Sequence, residues 1–428
     1  MGPRFSSFTL LITLGATLGH VYLYRRGVRP LVAGRAARGA VLAAIALFTA
    51  LLLLRRSLRD LPPAWRDGVA QVTYAWMGVG VCLLVALLAA DALRALLALA
   101  HRAARPRRAS ETRPAAQPGA AVQAARPGAA VQAVPAEAAR GAAAAPVDAG
   151  RRALLTRGAA AAGALVGGGG LAAYGSFRAF TAPEVTEVAV RVARLPKALD
   201  GFTLVQLTDL HVGPYVRRRF MDALVERANA LRPDLVAVTG DLVDGDVPTL
   251  GPSVAALQGL RSRHGTFFVT GNHDHSSGDL AWAAFLEGLG VGVLRNRHVP
   301  IGGGGRGAGF DLVGVDDWRG SREEGRRYDL TRALAGRDPE RAAVLLAHQP
   351  ANFREAARRG VDLQVSGHTH GGQLFPGTAL IHLAWEHAAG LYREGDAHLY
   401  VSRGCGFWGP PMRVGAPPEL VKLVLVAG

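Results

Sequence analysis

The chain has 428 residues, half of them apolar, and a formal net charge of +16, so it can hold more than one unit and a large core. Residues 1–177 carry 21 Lys and Arg against 6 Asp and Glu, whereas residues 178–428 carry 28 against 27. The near-neutral second part argues against a nucleic-acid surface there, so no nucleic-acid partner is expected, and the only two cysteines, Cys82 and Cys405, argue against a disulfide framework or a thiolate metal site.

In chain order, four segments are apolar enough to cross a bilayer. Phe5 to Tyr24 and Gly68 to Ala90 are uncharged over roughly the 20 residues that a hydrocarbon core demands. Gly39 to Leu54 is shorter, but Arg38 and Arg55 at its ends can snorkel. Gly158 to Phe177 is rich in Ala and Gly, which weakens a helix yet permits close helix packing. Arg25, Arg26, Arg29, Arg35 and Arg38 follow the first span, and Arg102, Arg105, Arg107 and Arg108 follow the third. The positive-inside rule places both loops in the cytoplasm. Alternation then sends everything after the fourth span outward, to the periplasmic or extracellular face of a multi-pass cytoplasmic (inner) membrane protein. Arg55, Arg56, Arg59 and Arg66, in the loop assigned to the outside, run against this pattern.

Residues 101–150 form an Ala/Pro-rich segment in which Pro-Gly-Ala-Ala-Val-Gln-Ala occurs twice; this is a low-complexity linker rather than a fold. Gly150-Arg151-Arg152 then precedes the fourth apolar span. It resembles a twin-arginine export signal, although ordinary flanking charge explains it equally well. The expected organisation is therefore a membrane region over 1–100, the linker over 101–150, the twin-arginine-like motif and fourth span over 151–177, and a globular domain over 178–428.

The globular part alternates short Val/Leu-rich runs with amphipathic stretches. The runs are Leu204 to Leu207, Leu235 to Val238, Phe267 to Val269, Leu312 to Val315, Ala343 to Leu346 and Leu363 to Val365. Arg218 to Leu231 and Leu280 to Leu289 have helical periodicity. Buried strands between helical layers, an α/β class, are implied. Tyr400 to Ser402 and Val421 to Val426 read as further strands, and Gly302 to Gly305 as a hairpin or loop.

Most of these runs end in polar residues suited to ligation. Asp209-Leu210-His211 places an oxygen and an imidazole two residues apart, on one face of an extended segment. Gly240-Asp241, Gly271-Asn272-His273-Asp274, His348 and Gly367-His368-Thr369-His370 follow. Singly, each is at home in a capping turn or a hydrogen-bonded loop; the paired imidazoles of His368 and His370 point more firmly to a metal.

In this order, Asp-x-His, Gly-Asp, Gly-Asn-His-Asp, His and Gly-His-x-His resemble the calcineurin-like metallophosphoesterase superfamily over about residues 200–375. The tail Gly404 to Arg413 resembles its bacterial membrane-associated branch. The resemblance implies a four-layer α/β/β/α sandwich preceded by transmembrane α-helices, with two divalent ions at the strand ends. Carried over, Asp209, His211, Asp241 and His370 hold one ion and Asp241, Asn272, His348 and His368 the other, so that Asp241 bridges. Mixed carboxylate, amide and imidazole ligands suit Mn, Fe or Zn. The implied activity is phosphoric ester hydrolysis, most simply of a phosphodiester, by in-line attack of a metal-bridging hydroxide. His273 is implied as the catalytic acid, and Asp274 beside it as the carboxylate that orients it. Asp244, Gln373 and His275 are read as solvated or capping groups, and Trp318, Trp385, Phe407 and Trp408 either as an apolar rim or as core. Membrane tethering makes a lipid or envelope phosphate ester the first candidate substrate, with membrane lipids as partners; oligomeric state is left open. A metal-stabilised receptor or scaffold, and a nuclease, are the competing readings.

Overall fold

The computed structural model describes residues 14–54, 62–104, 149–303, 309–320 and 327–428. Most of the linker, the Arg55–Arg56–Arg59 loop and the start of the first apolar segment lie outside them.

The N-terminal region is helical. Helix α1 (residues 14–23) runs into a π-turn, Tyr24–Val28, and is followed by α2 (Arg35–Leu54), α3 (Pro63–Ala104) and α4 (Ala149–Phe180). Three of these helices are longer than the apolar segments within them: α2 starts four residues before Gly39, α3 extends past Ala90 through Asp91 and Arg94, and α4 takes in Arg151 and Arg152. Among the described residues one helix, Trp65–Ala104, is both long and apolar enough to cross a membrane. Helix α4 falls short because Gly and Ala contribute little hydrophobicity. Its small residues serve contact instead: a Cβ on Gly168 would lie 2.9 Å from the Leu83 Cα, so the backbones of α3 and α4 touch there. Arg26 Nε donates to Asp91 Oδ2 at 2.7 Å, and Trp76 Nε1 to His20 Nε2 at 2.9 Å, tying the first helical segment to α3.

Two six-stranded sheets follow. The first has the order β1 (Glu184–Val192), β12 (Glu419–Ala427), β2 (Phe202–Leu207), β3 (Leu235–Thr239), β4 (Thr266–Val269), β5 (Gly292–Val293); the second runs β10 (Gly390–Glu394), β11 (Ala397–Val401), β9 (Leu363–Ser366), β8 (Ala342–Leu346), β7 (Gly309–Gly314), β6 (Arg297–Gly302). Strands β2, β3 and β4 are mutually parallel, as are β7, β8 and β9. Such strands are buried on both faces, which is why they read as continuous apolar runs.

Alternate side chains of each strand enter different layers. Val205 and Leu207 of β2 and Val236 and Val238 of β3 pack with Met221 and Leu224 of α5 (Arg218–Ala230), Leu250 of α6 (Val247–Val254) and Trp282 and Leu286 of α8 (Asp279–Gly288). Leu204, Leu235 and Ala237 turn the other way to meet Phe310, Leu312, Val344 and Leu363 of the second sheet. On that sheet's far side Ala343 and Leu345 pack against α9 (Leu330–Leu334) and Ala356 of α10 (Phe353–Arg358). The result is the four-layer α/β/β/α sandwich. Two short helices complete it, α7 (Asn272–Ser276) and α11 (Gly377–Ala384).

Strands β1, β5, β6 and β10 have no counterpart among the expected runs. They are the edges of the two sheets; β5 is only two residues long, and the others mix polar or charged residues with apolar ones, as in Glu-Val-Thr-Glu-Val-Ala-Val-Arg-Val of β1.

Candidate metal centre

Five strands release their chains at one edge of the sandwich: β2 before Asp209 and His211, β3 before Asp241, β4 before Asn272, β8 before His348, and β9 before His368 and His370. Parallel pairing within each sheet makes these ends coincide. The turns are tight enough that Asp209, His211, Asp241, His368 and His370 all adopt φ between 48° and 73°, a left-handed conformation costly for residues with a Cβ. Gly271 has no side chain because Asp241 fills its place: a Cβ there would sit 2.2 Å from Asp241 Oδ1.

The side chains gather into two adjoining groups. Asp209, His211 and His370 form one and Asp241, His348 and His368 the other, with the ligand atoms of each group within 4.8 Å of one another. His370 Nε2 lies 3.3 Å from Asp209 Oδ1, and His211 Nε2 3.1 Å from His370 Nε2. In the second group His348 Nε2 lies 3.2 Å from Asp241 Oδ2 and 3.1 Å from His368 Nδ1. Asp241 Oδ2 is also 3.8 Å from His211 Nε2, which places this carboxylate between the two groups.

Opposed imidazole nitrogens beside buried carboxylates fit a shared cation. Asn272 supplies an independent sign, since its Oδ1 is buried without a hydrogen-bond partner, a costly state unless something accepts the lone pair. The protonation states of Asp241, His368 and His370 agree, whereas at His348 the effect of burial is outweighed by Asp241, which pushes the imidazole well above its usual range. Burial alone would raise the Asp241 carboxyl, but His348, His273 and His211 hold it well below the usual carboxylate range. Burial and the neighbouring His348 push His368 down to about 3. Burial, only partly opposed by Asp209, takes His370 down to about 4. Ionised carboxylates and neutral imidazoles are the forms that bind metal.

Outer contacts fix the rings. His348 Nδ1 donates to Thr239 O at 2.9 Å, leaving Nε2 for the site. Asp209 accepts from the His368 backbone N–H at 3.0 Å, and Asp241 Oδ1 from that of His273 at 2.8 Å.

Asp244, expected to be solvated or capping, has the role expected of Asp274. Its Oδ1 lies 2.6 Å from His273 Nδ1 and 3.2 Å from His211 Nδ1, so one carboxylate orients both rings. Asp274 is fully buried and turned away from the His273 ring. It accepts from the backbone N–H groups of Gly271 at 2.7 Å, Leu242 at 2.9 Å and Val243 at 3.2 Å, which ties the β4–α7 turn to the loop carrying Asp241. Residue order misled here because α7 carries Asp274 inward and His273 outward. Burial would lower the His273 imidazole, but Asp244, helped by the charges of Asp241 and Asp274, pushes it up to about 9. His275 lies outside the ligand groups, 3.1 Å from Thr270 Oγ1.

Sequence reasoning assigned no role to Arg413. Its guanidinium is buried and donates to the carbonyls of Arg403 at 2.8 Å, Gly406 at 3.1 Å and His370, Ala416 and Gly404 at 3.2 Å, while its backbone N–H donates to Gly175 O of α4 at 2.8 Å. One residue thus joins the helical region to the loop bearing a ligand. Gln373 assists, exchanging hydrogen bonds with the Trp408 backbone. The only signal was a charged residue inside an apolar Gly/Pro-rich tail. The four aromatic residues divide. Phe407 is core, packed on Phe180 and Tyr215, and Trp318 is exposed against Tyr328. Trp385 and Trp408 flank the site, with ring centroids 4.9 Å from His368 and 6.0 Å from His273.

The sequence profile of the calcineurin-like phosphoesterases matches residues 202–372. A Bos taurus transmembrane protein with metallophosphoesterase domain is 40% identical over 267 residues, 60% of this chain and 60% of its own, so the chain spans about 60% of that relative's length. An uncharacterized metallophosphoesterase of Aquifex aeolicus is 33% identical over 244 residues, covering 56% of this chain and 91% of its own. One of Bacillus subtilis is 31% identical over 278 residues, covering 63% and 94%. With two bacterial relatives aligned over nearly their whole length, on a fold and ligand set of this kind, the chain belongs to the calcineurin-like metallophosphoesterase family.

Proposed function

We propose that the chain is a membrane-anchored phosphodiesterase that uses a dinuclear metal site to hydrolyse a lipid-linked or envelope phosphate ester on the outer side of the cytoplasmic membrane. The observation that carries the reading is the position of Asp241 between two ligand groups, together with a buried Asn272 oxygen that has no hydrogen-bond partner among the described residues. Asp209, His211, Asp241 and His370 would hold one ion, and Asp241, Asn272, His348 and His368 the other. Mn, Fe or Zn suits this mixed set. When bound, such a pair supplies the charge that acidifies water and neutralises phosphoryl oxygens.

The chain itself supplies orientation and a proton. His273 is partly exposed at the mouth of the site with Nδ1 engaged by Asp244, which leaves Nε2 for the leaving oxygen. Its raised pKa keeps a proton available at neutral pH. Trp385 and Trp408 offer apolar surface to the organic part of an ester, which supports a substituted, diester-like substrate. The spans at 5–24, 39–54, 68–90 and 158–177, and the export of residues 178–428, rest on hydropathy and on the arginine distribution.

Three experiments test the reading. With added manganese, the protein cleaves bis-aryl phosphates at least tenfold faster than mono-aryl phosphates; the reverse ratio contradicts the diester assignment, and inactivity on both contradicts hydrolysis of phosphate esters. Asp244→Asn lowers kcat/KM roughly 10- to 100-fold, the usual cost of losing an outer-shell partner, and moves the alkaline limb of the pH–rate profile to lower pH, because His273 loses the carboxylate that raises it. Asp274→Ala instead strands three buried N–H groups and appears as a lowered unfolding midpoint; a pH profile shifted by Asp274→Ala and untouched by Asp244→Asn would reverse the roles. Finally, protease added to intact spheroplasts digests residues 178–428, and complete protection would place the domain inside.

A further inference from the structure

Helix α11 lies in the chain between Leu374, which packs with the α3–α4 pair, and Trp385, which packs on His368. It has no buried residue and no acidic, Lys or Arg side chain in its sequence Gly-Thr-Ala-Leu-Ile-His-Leu-Ala. Leu383 is 85% exposed and Leu380 52%, and Phe375 just before the helix is also exposed. A cluster of large exposed apolar side chains on one short element marks a contact surface.

Its level along the helices indicates what it contacts. The catalytic domain grips the N-terminal part of α3: Arg217 pairs with Asp67, and Gln71 Nε2 donates to Pro214 O at 2.8 Å. Higher up, Met412 packs with Cys82 of α3 and Ala172 of α4, and Leu374 joins that cluster. Cys82 lies within the apolar span 68–90 and Ala172 within 158–177, so this cluster sits at the level of the bilayer to which both spans are assigned. Helix α4 exposes Tyr174 and Phe177 just beyond Ala172, the aromatic character of a membrane–water boundary. Leu374 is fixed at this level, and α11 begins three residues later.

We infer that α11 is an interfacial membrane-docking helix: Phe375, Leu380 and Leu383 insert at the headgroup–acyl boundary of the bilayer that α3 crosses. The inference rests on the membrane-anchored reading above. It places the mouth of the metal centre at headgroup level, because Trp385, the residue directly after α11, packs on the ligand His368. A phosphate ester carried on a lipid then reaches the site without leaving the membrane surface.

Spin labels at Leu383→Cys and, separately, Leu380→Cys in the full chain reconstituted into anionic phospholipid nanodiscs test this, since both native cysteines are buried. Arg227→Cys on exposed α5 is the aqueous control. Wild-type thermal unfolding of each labelled protein establishes folding. The expected result is faster collision of the labels at 380 and 383 with oxygen than with a water-soluble nickel chelate, and the opposite order at 227. Labels at 380 and 383 that behave like the one at 227 overturn the inference while leaving the anchor intact. Dipolar broadening that disappears on dilution with unlabelled protein also overturns it, by assigning the face to a second copy of the chain. A chain that stays in solution without nanodiscs or detergent overturns the membrane-anchored reading itself and the inference with it.

Discussion

Carboxylates and imidazoles packed at 3 to 4 Å, away from water, are stable only if each lone pair and each charge is answered. That constraint shapes the whole ligand-bearing end of the molecule. Asp209 and Asp241 each accept a backbone N–H from the loop of another strand, and Thr239 O accepts a hydrogen bond from His348 Nδ1–H. Asp274 binds two loops together through three backbone N–H groups. These contacts hold five ligand residues in left-handed backbone conformations that isolated turns would avoid. Among the described ligand residues, the Asn272 oxygen and two pairs of facing imidazole nitrogens are left unanswered, and a pair of divalent ions would complete them.

The same end of the molecule is attached to the helical region. The buried Arg413 reaches five carbonyls around the loop behind His370, and its own backbone is bonded to α4. Met412 and Leu374 on either side pack into the α3–α4 pair. The site and the apolar helices therefore share structural elements instead of being joined by a free tether.

Much of this was legible in the residues. Central strands advertise themselves because burial on both faces demands unbroken apolar runs, and each was read to within a few residues. Ligands follow those runs at once, so Asp209, His211, Asp241, Asn272, His348, His368 and His370 could be singled out without coordinates, and the structure brings all but Asn272 into the two ligand groups, while the chain neighbours of Asn272, Gly271 and His273, contact Asp241. Edge strands were missed, since they mix solvent-facing and core-facing demands. The exchange between Asp244 and Asp274 was illegible for another reason: both follow a strand closely, and only the direction in which α7 leaves its turn decides which carboxylate meets His273. Arg413 was hidden because a guanidinium that works through carbonyl acceptors has no partner residue type to look for.

The central claim is that Asp241 is shared between two metal ions. Metal content of purified protein, measured by mass spectrometry after equilibration with manganese, tests it without reference to turnover. About two ions per wild-type chain are expected, about one for Asp209→Asn, and almost none for Asp241→Asn. An Asp241→Asn protein that keeps a full equivalent of metal would contradict it.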